Sequence, residues 1–378
     1  MLSVLIAGDF CPSFGSNAYP AEKISPESIF TDFLPEIQKA DFSIVNLECP
    51  LTESHTPIKK CGPNLRAGRL WADLLKDSGF DMVTLANNHI MDQGPQGLTD
   101  TFRECKRVGL DTVGAGDNLE EAQKTYYKEI KGTKLAIVNF AENEFASAEP
   151  DRPGAHPMNV VQNSRKIMEA KKEADFVLAI IHGGHEHCKY PSPRMVEQYR
   201  FYADMGADAV VAHHTHCIGG AEIYNDTPIL YSMGNFFFPR ETQFDRWFTG
   251  YAVQLNTGAK GTPISFELLP YSQCKTSEAV SLLEGRERED VTAEIMNIGS
   301  QIQSGEACSE WQKFADSVQY SYLYSMSAVP RLLRAVFRRL GMQKLLLRNK
   351  PKMIKQLNMC KCEAHNDLLV RSFERYLR

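Results

Sequence analysis

Five short apolar runs in this chain each end on residues that bind metals or move protons, and that repetition constrains the fold more than any bulk property. Val4–Ala7 runs into Gly8-Asp9, Phe42–Leu47 into Glu48, and Met82–Ala86 into Asn87-Asn88-His89 with Asp92 close behind. Phe176–Ile181 runs into His182, followed by His185 and Glu186, and Ala209–Ala212 runs into His213-His214-Thr215-His216. The runs are strand-like, and in open α/β sheets chemistry gathers at the carboxyl ends of strands. Any single ending has an ordinary explanation. Asp9 after a glycine is a common turn residue, Asn87-Asn88 is good turn chemistry, and His182 before Gly183-Gly184 suits a core histidine. Five endings in order would need five such explanations, so they read together as one metal site built from strand-end loops.

Helical stretches sit between these runs. Gly68–Ser78 precedes the strand at Asp81–Leu85, Val160–Glu173 precedes Asp175–Ile181, and Arg194–Met205 precedes Ala209–Ala212. Strands alternating with helices of this length indicate a layered α/β domain, expected over residues 1–273. After Cys274 the texture changes to a polar, helix-prone connecting region (274–329), with a helix read over Val280–Gln303. Residues 330–378 form a basic tail. From Arg331 onward there are 13 Lys and Arg against 3 Asp and Glu, a surplus of +10 that leaves the first 330 residues near −15. Leu332, Leu333, Val336, Phe337 and Leu340 recur at helical spacing with Arg331, Arg334 and Arg338 interleaved, and Lys350-Pro351 separates this helix from the next. Such a stripe suits either docking on the main domain or contact with an anionic membrane or polymer.

Composition narrows the function classes. With 378 residues, 43% hydrophobic and 24% charged, the chain can bury a large core, and its net charge of −5 gives no pull towards nucleic acid. The apolar opening Met1–Ala7 is too short for a signal h-region or a membrane span. The 10 cysteines are scattered, which favours free thiols over a disulfide framework. Cys360-Lys361-Cys362 lacks the two-residue spacing of a zinc knuckle. The expected location is the cytoplasm, with the basic tail available for peripheral contact at the inner membrane face.

Asp9, Glu48, Asn88, His182, His214 and His216 offer oxygen and imidazole donors, a mixed set that suits Mn²⁺, Fe²⁺ or Zn²⁺ without thiolate. Six donors exceed the needs of one tetrahedral ion and suit two divalent metal ions, with a carboxylate such as Glu48 able to bridge them. His214 and His216, two apart on an extended segment, share a side. If Asn88 faces the metals, His89 can reach a substrate's leaving oxygen, with Asp92 placed to hold its tautomer.

The ordered set Gly8-Asp9, Asn46-Leu47-Glu48-Cys49-Pro50-Leu51, Ala86-Asn87-Asn88-His89-Ile90-Met91-Asp92-Gln93-Gly94, His182-Gly183-Gly184-His185-Glu186, His213-His214-Thr215-His216 and Tyr231-Ser232-Met233-Gly234-Asn235-Phe236 resembles the CapA family. These are bacterial capsule (poly-γ-glutamate) biosynthesis proteins of the calcineurin-like metallophosphoesterase superfamily. The resemblance covers about residues 1–270. It implies a four-layer αββα sandwich with a dinuclear metal site, followed here by a C-terminal helical appendage. It assigns Asp9 to the first metal motif, Glu48 to the bridging carboxylate, Asn88 and His89 to the Asn-His motif, His182 to the isolated histidine, and His214 and His216 to the final pair. Arg66, His185, Glu186 and Asn235 are expected near substrate. Two departures stand out. The superfamily's Asp-x-His opening is here Asp9-Phe10-Cys11, leaving His185, Glu186 or water to fill the position, and the second motif carries Glu48 where Asp is usual.

Two function classes follow. One is a metal-dependent hydrolase, foremost of a phosphoester, linked to capsule or surface-polymer synthesis, with His89 protonating the leaving group. The other is an accessory protein that binds an anionic polyglutamate or glycan with little turnover. A γ-glutamyl hydrolase or transferase is a third option. The expected partner is an anionic small molecule or polymer.

Overall fold

A computed structural model describes residues 2–13, 18–20, 22–258, 261–326, 330–340, 342 and 350–377. The chain divides into two compact units, Met1–Trp311 and Gln312–Arg378.

The first unit is built on two large sheets, with strands numbered in chain order. One contains β1 (Leu2–Phe10), β2 (Phe42–Leu47), β3 (Met82–Thr84), β4 (Asp111–Val113), β13 (Asn235–Phe237), β14 (Thr249–Thr257), β15 (Ser265–Gln273) and β16 (Val280–Leu282). Its order is β16-β15-β14-β1-β2-β3-β4, with β13 also pairing β1. The other contains β6 (Tyr126–Ile130), β7 (Thr133–Ala141), β9 (Phe176–His182), β10 (Ala209–His213), β11 (Ala221–Tyr224) and β12 (Thr227–Leu230), in the order β11-β12-β10-β9-β7-β6. Two short strands, β5 (Ala115–Gly116) and β8 (Gly154–Ala155), pair separately.

The apolar runs are continuous because both faces of these strands are covered. In β9, Phe176, Leu178 and Ile180 point into a core between the sheets, where they join Val4 and Ile6 of β1 and Ile44 of β2. Val177, Ala179 and Ile181 point the other way, into a core with Ile167, Tyr199 and Ile298 from three helices. Across the molecule, Leu5 and Ala7 of β1 pack with Phe30, Trp71, Leu75 and Leu98. Three apolar layers alternate with two sheets, which makes the unit an αββα sandwich.

The helices fall close to their expected spans, at Leu70–Asp77, Val160–Glu173 and Pro193–Asp204. Their ends follow local chemistry. Asn159 and Ser192 cap helix N-termini by accepting from the Gln162 and Met195 backbone N–H groups. The helix read over Val280–Gln303 begins later, at Gly285, because Val280–Leu282 pairs with β15 and extends the first sheet. Ile295, Ile298 and Ile302 of that helix are buried in the first unit. All ten cysteines are free thiols.

Parallel pairing places the site. β1, β2 and β3 run parallel, as do β7, β9, β10 and β12, so their carboxyl ends gather together within each sheet. Register then aligns single residues: Asp9 opposite Asn46 and Asn235, and His182 opposite His213. Gly8 permits this crowding. A Cβ there would lie 2.2 Å from the Gly234 carbonyl oxygen, at the point where β13 arrives beside β1.

Within the second unit, helices span Arg331–Arg339, Lys350–Lys361 and Glu363–Leu377. No helix among the described residues is long and apolar enough to cross a membrane.

Candidate metal centre

The strand ends bring Asp9, Glu48, Asn88, His182, His214 and His216 into one buried cluster. His182 Nε2 lies 3.1 Å from Asn88 Oδ1, 3.1 Å from His214 Nδ1 and 3.5 Å from Glu48 Oε1. Two imidazole nitrogens this close cannot both carry a proton. His216 Nε2 lies 3.9 Å from Glu48 Oε1, and its Nδ1 lies 2.9 Å from Asn235 Oδ1. Asn235 Nδ2 in turn donates to the Trp247 carbonyl, which fixes its amide and makes its Oδ1 an acceptor for His216. The His216 Nε2 lone pair is thereby left facing Glu48.

Asp9 is fully buried. Its Oδ1 accepts from Asn46 Nδ2 at 2.7 Å, and its Oδ2 accepts from the His214 backbone N–H at 3.1 Å. Two donor groups emerge, Glu48 with His182 and His214, and Asp9 with Glu48 and His216, each with its ligand atoms within 4.8 Å of one another. Glu48 belongs to both.

Electrostatics tests whether a cation fits. Both Glu48 carboxylate oxygens are buried and accept no hydrogen bond, a costly arrangement for an isolated acid. Burial, and then the negative charges of Asp9 and Glu186, hold its carboxyl well above its ordinary range. Burial raises Asp9 too, but His213, His182 and His216 around it more than offset this and hold it below its usual value. Burial and the neighbouring His214 push His182 well down, and burial brings His216 to about 4. His182 and His216 are thus neutral with lone pairs to give, and the acid common to both donor groups lacks a counter-charge. That is the condition of a metal site. The backbone adds a second sign. His214 and His216 have φ of +93° and +56°, in the left-handed region that non-glycine residues rarely enter, and such strain collects at functional positions.

Beside this cluster, His89 Nδ1 lies 2.6 Å from Asp92 Oδ2, which also accepts from the Leu65 backbone N–H at 2.6 Å. Lys60 forms an ion pair with Asp92 Oδ1, and its Nζ is 3.1 Å from His89 Nδ1, although its side chain is only 3% exposed. The His89 backbone N–H donates to Asn87 Oδ1, and Asn87 Nδ2 donates to the Leu47 carbonyl, so the His89–Asp92 pair is tied to β2.

The remaining expected residues are placed differently from one another. Glu186 is held below its usual range against its own burial by His216 and His214, and its Oε2 lies 4.0 Å from His187 Nε2. The His185 ring lies 5.9 Å from that of Trp311. Arg66 donates to the carbonyls of Glu53 and Ser54 and lies over the Tyr19 ring. Asn235 is fully buried, with both polar side-chain atoms engaged inside the protein.

Three residues were not foreseen as site members. Asn46 bridges Asp9 and His182, with its Nδ2 3.2 Å from His182 Nδ1. His213 Nδ1 lies 3.2 Å from Asp9 Oδ1. Lys60 completes the His89–Asp92 group. Cys11, standing where Asp-x-His would place a histidine, is buried in the helix-side core and donates to Ser13 Oγ.

Carboxylates and imidazoles thus converge from the strand ends of both sheets of a four-layer αββα sandwich. The model of the bacterial capsule synthesis protein PGA_cap family matches residues 3–240, and the chain belongs to that family. It is 34% identical over 254 residues to the PGA biosynthesis protein CapA of Bacillus subtilis (strain 168), covering 66% of each chain. It is 33% identical over 219 residues to the capsule biosynthesis protein CapA of Bacillus anthracis, covering 56% of this chain and 53% of that one. These alignments span between half and two-thirds of the relatives' own lengths. Among solved structures, a 5'-nucleotidase precursor from Thermus thermophilus superposes with a TM-score of 0.44 at 12% identity, covering 78% of this chain and 58% of that one.

Proposed function

We propose that this chain is a divalent-metal-dependent hydrolase, foremost of phosphoesters, that serves surface-polymer synthesis. The observation that carries the reading is Glu48, a fully buried carboxylate with two unpartnered oxygens set between two donor groups. Asp9, Glu48, Asn88, His182, His214 and His216 would hold two ions of the Mn²⁺, Fe²⁺ or Zn²⁺ kind. When bound, such ions supply Lewis-acid polarisation of a phosphoryl oxygen and charge stabilisation.

The chain's own residues do the rest. Asn46 and the His214 N–H fix both Asp9 oxygens, and Asn235 fixes the tautomer of His216. His89 donates a proton to the departing oxygen as the P–O ester bond breaks, and water supplies the oxygen that joins phosphorus. Asp92 holds His89 Nδ1, so the proton that moves is the one on Nε2. The names of the Bacillus relatives, PGA biosynthesis and capsule biosynthesis, support a place in polymer production.

One observation favours the second reading, a polymer-binding accessory protein with little turnover. Cys11 lies in the apolar core at a position where a ligand histidine would complete the first motif. Metal analysis of the purified protein, beside hydrolysis of aryl phosphates and a γ-glutamyl anilide with and without Mn²⁺, separates the readings. Metal-dependent phosphoester turnover is expected. A protein that holds two ions and hydrolyses nothing across a broad panel assigns the site to binding.

A further inference from the structure

The second unit carries a surface that the metal site does not use. In the Arg331–Arg339 helix, Leu332 is 83% exposed, Val336 50% and Leu340, at its C-cap, 62%. At about 100° per residue, Leu332, Leu333, Val336, Phe337 and Leu340 fill an arc of roughly 140°, while Arg334, Arg338 and Arg339 fill the opposite roughly 140°. Apolar exposure continues on the following helices, at Ile354 and Leu357 and at Leu368 and Phe373. An exposed apolar arc with a segregated charged face marks an interaction site. The 13 Lys and Arg against 3 Asp and Glu from Arg331 onward give that site its sign.

We propose that this helix is an interfacial membrane anchor that lies on an anionic bilayer, with its leucine arc among the acyl chains and its arginines at the headgroup level. The helix is too short to span a bilayer, and its segregated faces suit lying in the interface plane. Other occupants meet only part of the surface. A second copy of the tail would bring two surpluses of +10 together, and an acidic protein face would answer the arginines but not the leucine arc. Anionic lipid answers both. The proposal is independent of the metal site.

Co-sedimentation of the full chain with vesicles tests it, using phosphatidylcholine alone and phosphatidylcholine containing one-third phosphatidylglycerol. The wild type is expected to pellet with the anionic vesicles at low salt and to be released as the Debye length falls from about 10 Å to about 3 Å on going from about 0.1 to 1 M salt. The variant Arg334→Glu/Arg338→Glu/Arg339→Glu should bind about 100-fold or more weakly, since each near-surface arginine is worth roughly a factor of five. Leu332→Ser/Val336→Ser/Leu340→Ser should lose binding to the same vesicles. Arg338→Glu alone serves if either triple variant loses helicity by circular dichroism. Wild-type protein that stays in the supernatant at low salt overturns the proposal, as does equal pelleting with phosphatidylcholine or binding that ignores the substitutions. A dimer in sedimentation velocity that the serine variant abolishes, without vesicle binding, gives the face to a second copy instead.

Discussion

Replacing Glu48 by Gln should stabilise the metal-free protein and destabilise the metal-loaded one. The side chains have the same shape, so no cavity confuses the comparison. In wild type without cation, both Glu48 oxygens are buried without a hydrogen-bond partner; Gln leaves the same positions unpartnered but carries no charge, and burying the charged form costs more than the neutral one by about 1–3 kcal/mol. The sign follows from linkage. A carboxyl whose folded pKa is raised binds its proton more tightly in the native state, so wild-type stability falls as pH rises above the unfolded value of 4.5. Glu48→Gln removes that loss. At pH 8 in EDTA the variant should be more stable by about 1–3 kcal/mol, or roughly 2–6 °C in Tm for a unit of this size. With Mn²⁺ at about 100 times Kd, wild type should gain about 2.7 kcal/mol. The variant, having lost the residue common to both donor groups, should gain well under half of that. The two Tm values should therefore cross between EDTA and Mn²⁺, as read by thermal unfolding of both proteins in both buffers. A variant less stable than wild type in EDTA, or one with the full Mn²⁺ gain, refutes the reasoning.

Three further outcomes are expected. His214→Ala/His216→Ala should abolish metal binding measured by elemental analysis, because it removes one imidazole from each donor group; unchanged metal content would sink the site. His89→Ala should retain metal and lose about 10²–10⁴-fold in phosphoester turnover, the usual worth of general acid–base help, so wild-type rates in that variant would remove His89 from the chemistry. His156, whose Nδ1 lies 2.9 Å from the Asn139 carbonyl oxygen, is pushed by burial from 6.5 down to about 4. Its unfolded form takes a proton that the folded form refuses, so stability is full above about pH 6.5 and is lost as pH falls towards 4. Between about pH 7.5 and pH 5 that loss is about 2 kcal/mol. Denaturant titrations of wild type and His156→Asn should differ by that amount in their pH dependence, and parallel curves would contradict it.

Donor identity could be read from the sequence because strand and chemistry share a boundary. Phe176–Ile181 is an unbroken apolar run, and His182 is the first residue past it, so the run announces the strand and its end announces the ligand. Partnership was less visible. Asn46 lies inside the Phe42–Leu47 run, and nothing local separates a strand asparagine that serves a neighbour from one that merely fills a ladder position. Its role depends on the β1–β2 register that sets it opposite Asp9. Lys60 follows Lys59 in a loop and reads as a solvated charge, yet the fold brings it under His89. His213 was visible only as part of the triplet, since its approach to Asp9 spans more than half the chain. The strand Val280–Leu282 is three residues long, and its pairing with β15 carries more weight than its own sequence.

The pairing of β1 also sets a schedule. Leu2 lies opposite Thr257 in the antiparallel ladder to β14, and Asp9 lies opposite Asn235 in β13. The central strand of the first sheet therefore takes β2 on one edge early but waits about 250 residues for β14 on the other. At about 5–20 residues per second, that is a wait of roughly 12–50 seconds. During that interval the apolar strands Leu2–Phe10 and Phe42–Leu47 have only each other and their helices for cover, and Asp9 has not yet met His214 or His216. Any release of the chain before Thr257 leaves one edge of β1 open and the sheet without a complete β14, β15 and β16. Such fragments should go to proteases or aggregates rather than form a smaller, working domain.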